Sequence, residues 1–202
     1  MKALLKSIIY RTMSPFMKRK MLDNSVYLTY DDGPHPDNTE SILSILKESQ
    51  VKATFFMLGY AMDKYPHLVE QVIEQGHTLG YHSYKHISLK KRSFTEVKED
   101  LQQMERLSKR YNYPIKLYRP PFGDLTATSF LWFILKGKKI VMWSLDSRDS
   151  FDPFEQVKKN VAPQELSNGE IILFHDDYEQ AAELLKITLN AYRQHGTNCN
   201  PL

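Results

Sequence analysis

The sequence predicts one α/β domain with a mostly parallel sheet, either open or closed into a barrel. From residue 25 onward, six strand-like runs alternate with helical patterns, as in repeated βα units. Gly76, Gly137 and Gly169 fall just before strands, where helix ends and turns favour glycine. A length of 202 residues with 42% hydrophobic residues suffices for one domain with a sizeable core.

The predicted strands cover 26–30, 53–58, 77–81, 115–118, 139–144 and 170–174. The predicted helices cover 38–49, 66–75, 93–111, 127–135, 153–161 and 179–192. Ser93 and Glu96 have the spacing of a capping box, which supports a helix start there. We therefore divide the chain into a basic N-terminal segment (1–22), a domain (23–195) and a loose tail (196–202).

The N-terminal segment differs in charge from the remainder of the chain. It contains no acid and six basic residues: Lys2, Lys6, Arg11, Lys18, Arg19 and Lys20. The remainder has 21 basic and 24 acidic residues, a net charge of −3, which gives no reason to expect nucleic acid. Within the N-terminal segment, apolar residues recur with helical spacing, namely Leu4, Leu5, Ile8, Ile9, Met13, Phe16 and Met17. Residues 1–20 are therefore expected either to contact an anionic membrane peripherally or to pack as a helix on the domain.

Targeting features and cysteine content constrain the cellular location. Lys6 interrupts any secretory apolar core, and the sequence has no apolar run of 18 residues. Cys199 is the single cysteine, which excludes an internal disulfide. We expect a cytoplasmic protein, placed at the inner face of the membrane if the N-terminal helix binds lipid.

Reactive side chains follow the predicted strands at their carboxyl ends, the end that carries the active site in βα barrels. They are Asp31 and Asp32, His82 and His86, Arg119, Asp146 and Asp149, and His175. On a helical turn, His82 and His86 would face one side and could share a metal. Two imidazoles and one carboxylate leave a coordination position open for water. Of two adjacent acids, one could bind the metal while the other takes a proton from the attacking water.

These residues lie in five ordered motifs, Thr29-Tyr-Asp-Asp-Gly-Pro34, His82-Ser-Tyr-Lys-His86, Arg119-Pro-Pro-Phe-Gly123, Asp146-Ser-Arg-Asp149 and Leu173-Phe-His-Asp176. Together they resemble the motifs of the polysaccharide deacetylases, carbohydrate esterase family 4 with the NodB homology domain. The resemblance implies a distorted, incomplete (β/α) barrel with mostly parallel strands. It also implies metal-dependent removal of N-acetyl groups from amino sugars.

The resemblance further implies a role for each matching residue. Asp32, His82 and His86 would hold one divalent ion, usually Zn²⁺ and sometimes Co²⁺ or Ni²⁺. Asp31 would be the general base and His175 the general acid.

The remaining motif residues would support these groups. Arg119 would hold Asp31, and a carboxylate of the fourth motif would tune His175. Asp149 is favoured over Asp146 for that contact. The backbone N–H of Phe122 would help to bind the oxyanion.

Two further residues would contact the substrate: Leu173, beside the acetyl methyl group, and Pro121. The sequence departs from the family pattern at Ser150, where a tryptophan that would stack on sugar is common, and at Phe122, where tyrosine is more frequent. Asp176 and Asp177 are interpreted as acids at a helix N-terminus.

Three functions remain open from the sequence. The favoured one is an N-deacetylase, or another N-deacylase, acting on an amino-sugar glycan or lipid-linked sugar in cell-envelope polysaccharide metabolism. An O-acetyl esterase or another small-amide hydrolase would use the same site. A non-catalytic glycan-binding domain would have lost site residues, and here only the stacking tryptophan is missing.

Overall fold

The structure is a computed structural model that describes residues 17–166 and 168–202. Its strands are β1 Met17–Lys18, β2 Ser25–Asp31, β3 Thr54–Met57, β4 Thr78–Tyr81, β5 Leu117–Tyr118, β6 Lys139–Val141, β7 Leu145–Asp146, β8 Ile171–His175 and β9 Asn198–Cys199. Its helices are α1 Thr39–Glu48, α2 Gly59–Lys64, α3 Pro66–Glu74, α4 Phe94–Arg110, α5 Ala127–Leu135, α6 Phe154–Asn160 and α7 Ala181–Gln194.

The strands form one curled sheet in the order β1-β6-β5-β4-β3-β2-β8-β7, and β9 also pairs with β2. Each of these strand pairs is parallel. The expected distorted, incomplete (β/α) barrel is therefore confirmed. The capping box predicted at Ser93 is also present, at the start of α4.

Strand β2 is an interior strand of the sheet. All seven of its residues are buried, and it pairs with β3 on one side and β8 on the other. In this register Asp31 lies opposite Phe56 of β3 and His175 of β8. The carboxyl ends of three adjacent strands therefore lie side by side.

Part of the basic N-terminal segment belongs to the sheet. Met17 and Lys18 pair with Ile140 and Val141 of β6, so they form a strand and not the end of an amphipathic helix. The remainder of that expected helix, residues 1–16, lies outside the described residues. Within the described residues, no helix is long and apolar enough to cross a membrane.

The C-terminal residues 196–202 do not form the loose tail that was expected. Asn198–Cys199 pairs with the start of β2. The backbone N–H of Leu202 donates to Thr54 Oγ1, and its carbonyl accepts from Thr78 Oγ1, each at 3.0 Å. The tail is held because it supplies hydrogen-bond partners at the amino ends of β2, β3 and β4.

Candidate active site

The predicted reactive residues converge at the carboxyl end of the barrel, because parallel strands direct those ends to one side. The strands and the residues that they position are β2 with Asp31 and Asp32, β4 with His82 and His86, β5 with Arg119, β7 with Asp149, and β8 with His175. A cleft of about 370 Å³ opens beside Asp32. Its walls include Pro34, His35, Tyr60, Lys64, Tyr65 and Asp177.

Asp32, His82 and His86 form a group whose ligand atoms all lie within 4.8 Å of one another. Asp32 Oδ1 is 3.7 Å from His82 Nε2 and 3.4 Å from His86 Nε2. The two rings do not share a helix face as expected. Left-handed backbone at Ser83 (φ 69°) and His86 (φ 50°) turns the loop so that their centroids are 5.0 Å apart.

This group fits a divalent cation. Asp32 Oδ1 is buried, and no described residue donates a hydrogen bond to it. Burial lowers the pKa of His82 to about 3, so its imidazole is neutral, as a metal ligand must be. His82 Nδ1 lies 2.8 Å from the Arg119 carbonyl. A carbonyl only accepts, so Nδ1 carries the proton and the lone pair of Nε2 faces both carboxylates, 3.6 Å from Asp31 Oδ2 and 3.7 Å from Asp32 Oδ1.

A buried acid outside the motifs supports the histidine loop. Asp100 Oδ1 accepts a 2.7 Å hydrogen bond from the backbone N–H of Tyr84 and lies 3.0 Å from Arg92 Nη1. Burial raises the pKa of Asp100. The sequence analysis missed this residue, although an acid on the apolar face of α4, beside Val97 and Leu101, was an available signal.

Asp31 and Arg119 form a buried ion pair. Asp31 Oδ1 accepts from Arg119 Nη1 at 2.7 Å, and Nη1 also donates to Thr29 Oγ1 at 2.8 Å. The guanidinium lies 4.1 Å from the centroid of the Phe56 ring, and Nη2 donates to the Met142 carbonyl. Burial raises the pKa of Asp31 and Arg119 lowers it, with burial the larger effect.

His175 and Asp149 form a second pair. Asp149 Oδ1 is 2.7 Å from His175 Nδ1, and Asp149 Oδ2 accepts from the backbone N–H of His175 at 2.8 Å. Asp146 instead accepts from the backbone N–H of Arg148. Burial lowers the pKa of His175, but the hydrogen bond and charge of Asp149, together with the charges of Asp31 and Asp32, raise it to about 9.

The three predicted substrate contacts lie around these groups. Phe122 has a left-handed backbone conformation (φ 59°) and is 65% exposed. Its ring packs against that of His86, with the two ring centroids 4.5 Å apart. Pro121 is buried beside it. Leu173 is buried on β8, two residues before His175, so both side chains share one strand face.

Asp176 is not a helix N-terminal acid, because α7 begins only at Ala181. It is fully buried, and its Oδ2 accepts from Thr39 Oγ1 at 2.8 Å. A Cβ on Gly33 would lie 2.0 Å from this carboxylate, so only glycine fits there. Burial raises the pKa of Asp176 to about 8. Asp176 thus packs directly against the loop that follows Asp32.

The chain is similar to known deacetylases. A family model described as polysaccharide deacetylase matches residues 18–136. A peptidoglycan-N-acetylglucosamine deacetylase of Bacillus cereus is 38% identical over 125 residues, which cover 61% of this chain and 46% of that relative. The chain therefore spans less than half the length of this relative. A chitooligosaccharide deacetylase of Azorhizobium caulinodans is 33% identical over 156 residues, with 76% and 74% covered.

A solved structure extends the similarity to the whole fold. A peptidoglycan N-acetylglucosamine deacetylase in complex with 4-naphthalen-1-yl-N-oxidanyl-benzamide superposes with a TM-score of 0.88 at 27% identity. The superposition covers 96% of this chain and 93% of that chain. Because the family match spans more than half of the sequence and the fold agrees over nearly all of it, this chain belongs to the polysaccharide deacetylase family.

Proposed function

We propose that this chain is a metal-dependent hydrolase that removes N-acetyl, or another small N-acyl group, from an amino-sugar glycan or lipid-linked sugar in cell-envelope polysaccharide metabolism. One observation supports this most. An Asp–Arg pair, an Asp–His–His group and an Asp–His pair meet at the carboxyl end of one barrel. Hydrolysis of an amide requires a base, an electrophilic centre and an acid, and the three groups supply these in turn.

Asp32, His82 and His86 would hold the ion, for which we favour Zn²⁺ because it accepts mixed nitrogen and oxygen ligands. When bound, such an ion lowers the pKa of water and polarises a carbonyl. The hydrogen bond from His82 Nδ1 to the Arg119 carbonyl orients the ring for this role.

Asp31 is the base that takes a proton from the attacking water. Arg119 holds one of its oxygens at 2.7 Å, which leaves the other to accept the proton. Arg119 also favours the ionised form of Asp31 against the effect of burial.

His175 is the acid that protonates the departing amine. With a pKa of about 9 it carries its proton at neutral pH. Asp149 fixes Nδ1, so Nε2 is the nitrogen that delivers the proton. The backbone N–H of Phe122 would stabilise the oxyanion, and Pro121 and Leu173 would line the site of the acyl methyl group.

The substrate class follows from chemistry and similarity together. Related proteins are named for peptidoglycan N-acetylglucosamine and for chitooligosaccharides, which both carry N-acetylglucosamine. We extend this substrate class to the present chain. Peripheral contact of residues 1–20 with an anionic membrane, and a cytoplasmic location at its inner face, remain predictions.

The test uses the full chain loaded with Zn²⁺ and a panel of acylated sugars. The panel contains chitooligosaccharides, peptidoglycan fragments, lipid-linked N-acetyl sugars and O-acetylated sugars, and mass spectrometry detects loss of an acyl group. We expect release from at least one N-acyl sugar, with Asp31→Asn as the inactive control. Release from O-acetyl sugars alone would establish an esterase, and no release from any of them would contradict the proposal.

A further inference from the structure

Helix α5 leaves two large apolar side chains, Leu131 and Leu135, exposed. It contains no charged residue, and within Ala127–Leu135 only Ser129 and Phe133 are buried. Leu131 is 57% exposed and Leu135 69% exposed. An apolar helix on a surface is stable only if a partner or a membrane covers its outer side, or if that exposure serves binding.

The start of the neighbouring helix α4 extends this apolar surface. Phe94 is 44% exposed and packs edge-on against the half-buried Trp132, with ring centroids 5.5 Å apart. We call the four side chains Phe94, Leu131, Trp132 and Leu135 the α5 face.

Two lysines flank the α5 face. Lys98 Nζ lies 5.8 Å and Lys136 Nζ 5.0 Å from the Trp132 ring centroid. Lys138 and Lys139 follow at the end of the helix, and Glu105 is an acid whose charge acts on Lys138. Tryptophan and leucine flanked by lysines suit the boundary between lipid headgroups and acyl chains.

The strand after α5 connects this face with the basic N-terminal segment. Met17, the first described residue, pairs with Ile140 of β6. In the sequence, Met17 is directly preceded by residues 1–16, which carry Lys2, Lys6 and Arg11.

We propose that the α5 face docks on the surface of an anionic lipid bilayer. Leu131, Leu135, Phe94 and Trp132 enter the headgroup region, and Lys98 and Lys136 pair with anionic headgroups. This contact lies on the side of the barrel and is independent of the reaction.

The positive charge beside the α5 face favours an anionic bilayer over two other possible partners, a second copy of the chain and the N-terminal segment. A second copy of the chain would set Lys98 and Lys136 against the same two lysines. The N-terminal segment would bring Lys2, Lys6 and Arg11 toward the same rim. An anionic bilayer is the partner that complements both the apolar centre and the positive rim.

The test is co-sedimentation of the full chain with vesicles of phosphatidylglycerol and phosphatidylcholine, compared with phosphatidylcholine alone. One variant combines Leu131→Gln and Leu135→Gln, and a second combines Lys98→Glu and Lys136→Glu. The matched control combines Lys186→Glu and Arg193→Glu, two exposed basic residues of α7, so that it changes the net charge by as much as the lysine variant does. Thermal unfolding and sedimentation velocity of each protein check folding and oligomeric state.

We expect each α5-face variant to partition about tenfold or more weakly onto anionic vesicles, while the control binds like the wild type. If the leucine variant fails to fold, the lysine variant alone decides. Unchanged binding of the α5-face variants would overturn the proposal and favour a contact through residues 1–20. A wild-type dimer that these variants dissociate, or a wild type that ignores anionic vesicles, would overturn it as well.

Discussion

Asp149 accepts two hydrogen bonds from His175, one from the ring Nδ1 at 2.7 Å and one from the backbone N–H at 2.8 Å. The first contact stabilises the charged imidazolium, and the second fixes the end of β8 on which the ring is mounted. The result is a pKa of about 9 for a ring whose burial alone would lower it. Asp149 is therefore expected to set the pH range over which His175 can act as an acid.

Replacing Asp149 by Asn should lower the pKa of His175, because the charge that opposes the effect of burial is removed. The alkaline limit of kcat should move to lower pH, and kcat itself should fall by roughly 10²–10⁴. A pH–rate profile and NMR titration of the His175 ring measure the two effects. Asp146→Asn is the matched control, since Asp146 contacts Arg148 and not His175. A shift in Asp146→Asn without one in Asp149→Asn would refute this pairing.

Removing either histidine of the metal group should abolish binding of the ion. Two remaining ligands cannot hold a divalent ion as firmly as three, so His82→Ala and His86→Ala should both lose it. Elemental analysis after dialysis, and the rise in melting temperature on adding Zn²⁺, are the measurements. His67→Ala, on the exposed side of α3, should keep both. Full metal occupancy in a His82→Ala/His86→Ala double variant would exclude this site.

Asp31→Asn should retain the metal but lose nearly all turnover, by roughly 10²–10⁴, because Asp31 is the proposed base and not a ligand. It should also destabilise the fold, since the fully buried Arg119 would lose its charged partner. Metal content, kcat and the melting temperature separate these effects. Loss of the metal in Asp31→Asn would mean that Asp31 and Asp32 have exchanged roles.

The sequence predicted the main helices and strands because most of them are long enough for the spacing of their apolar residues to be recognised. Six of the observed strands and six of the observed helices fall where they were expected. Strand β5 also has two residues, but it ends the longer strand-like run 115–118. The strands β1, β7 and β9 have two residues each and no such run of their own, so no alternation is visible. Their pairing depends on β6, β8 and β2, which are distant in sequence.

The sequence predicted which strand ends carry the site residues, but not which side-chain atoms contact each other. Any parallel sheet gathers these ends, so the convergence of Asp31, His82 and His175 followed from the alternation of elements. The choice between Asp146 and Asp149 depends on the turn at Arg148, whose φ is 61°. The burial of Asp176 depends on Gly33, which is remote in sequence.

Asp176 should make the stability of the metal-free protein depend on pH. Its pKa is about 8 in the folded state against an ordinary value of 3.8, so the unfolded chain loses this proton first as pH rises. Its contribution is therefore fully present below about pH 4 and is lost as pH rises to about 8. Asp176→Asn should remove the share of the slope that Asp176 contributes and be more stable than the wild type at pH 8, by on the order of a few kcal/mol. Urea unfolding in a chelator across this range measures it.

The control for this effect is Asp177→Asn, which changes the exposed neighbour and should keep most of the slope, because burial raises the pKa of Asp176 more than the charge of Asp177 does. A wild-type slope in Asp176→Asn would show that the buried carboxyl is ionised throughout.

Gly33→Ala should destabilise the protein by about 1–3 kcal/mol, because its Cβ would lie 2.0 Å from the Asp176 carboxylate. It should also weaken metal binding, since Gly33 follows Asp32. Asp176→Ala in the same chain should restore part of both losses, because it removes the atoms of the clash. Urea unfolding and Zn²⁺ titration of the single and double variants measure the coupling. Additive losses in the double variant would show that the two residues do not meet.

Deleting residues 2–16 should reduce binding to anionic vesicles while the barrel and the metal group stay intact. The deletion ends before Met17–Lys18, because that strand pairs with β6 and its loss would disturb the sheet. It removes Lys2, Lys6 and Arg11, each worth about 1 kcal/mol near an anionic surface. Vesicle sedimentation at rising salt measures the change, and wild-type binding should weaken with salt, since charges are screened over about 10 Å at 0.1 M. If the helix instead packs on the domain, the truncated chain would melt at a lower temperature and both proteins would pellet equally.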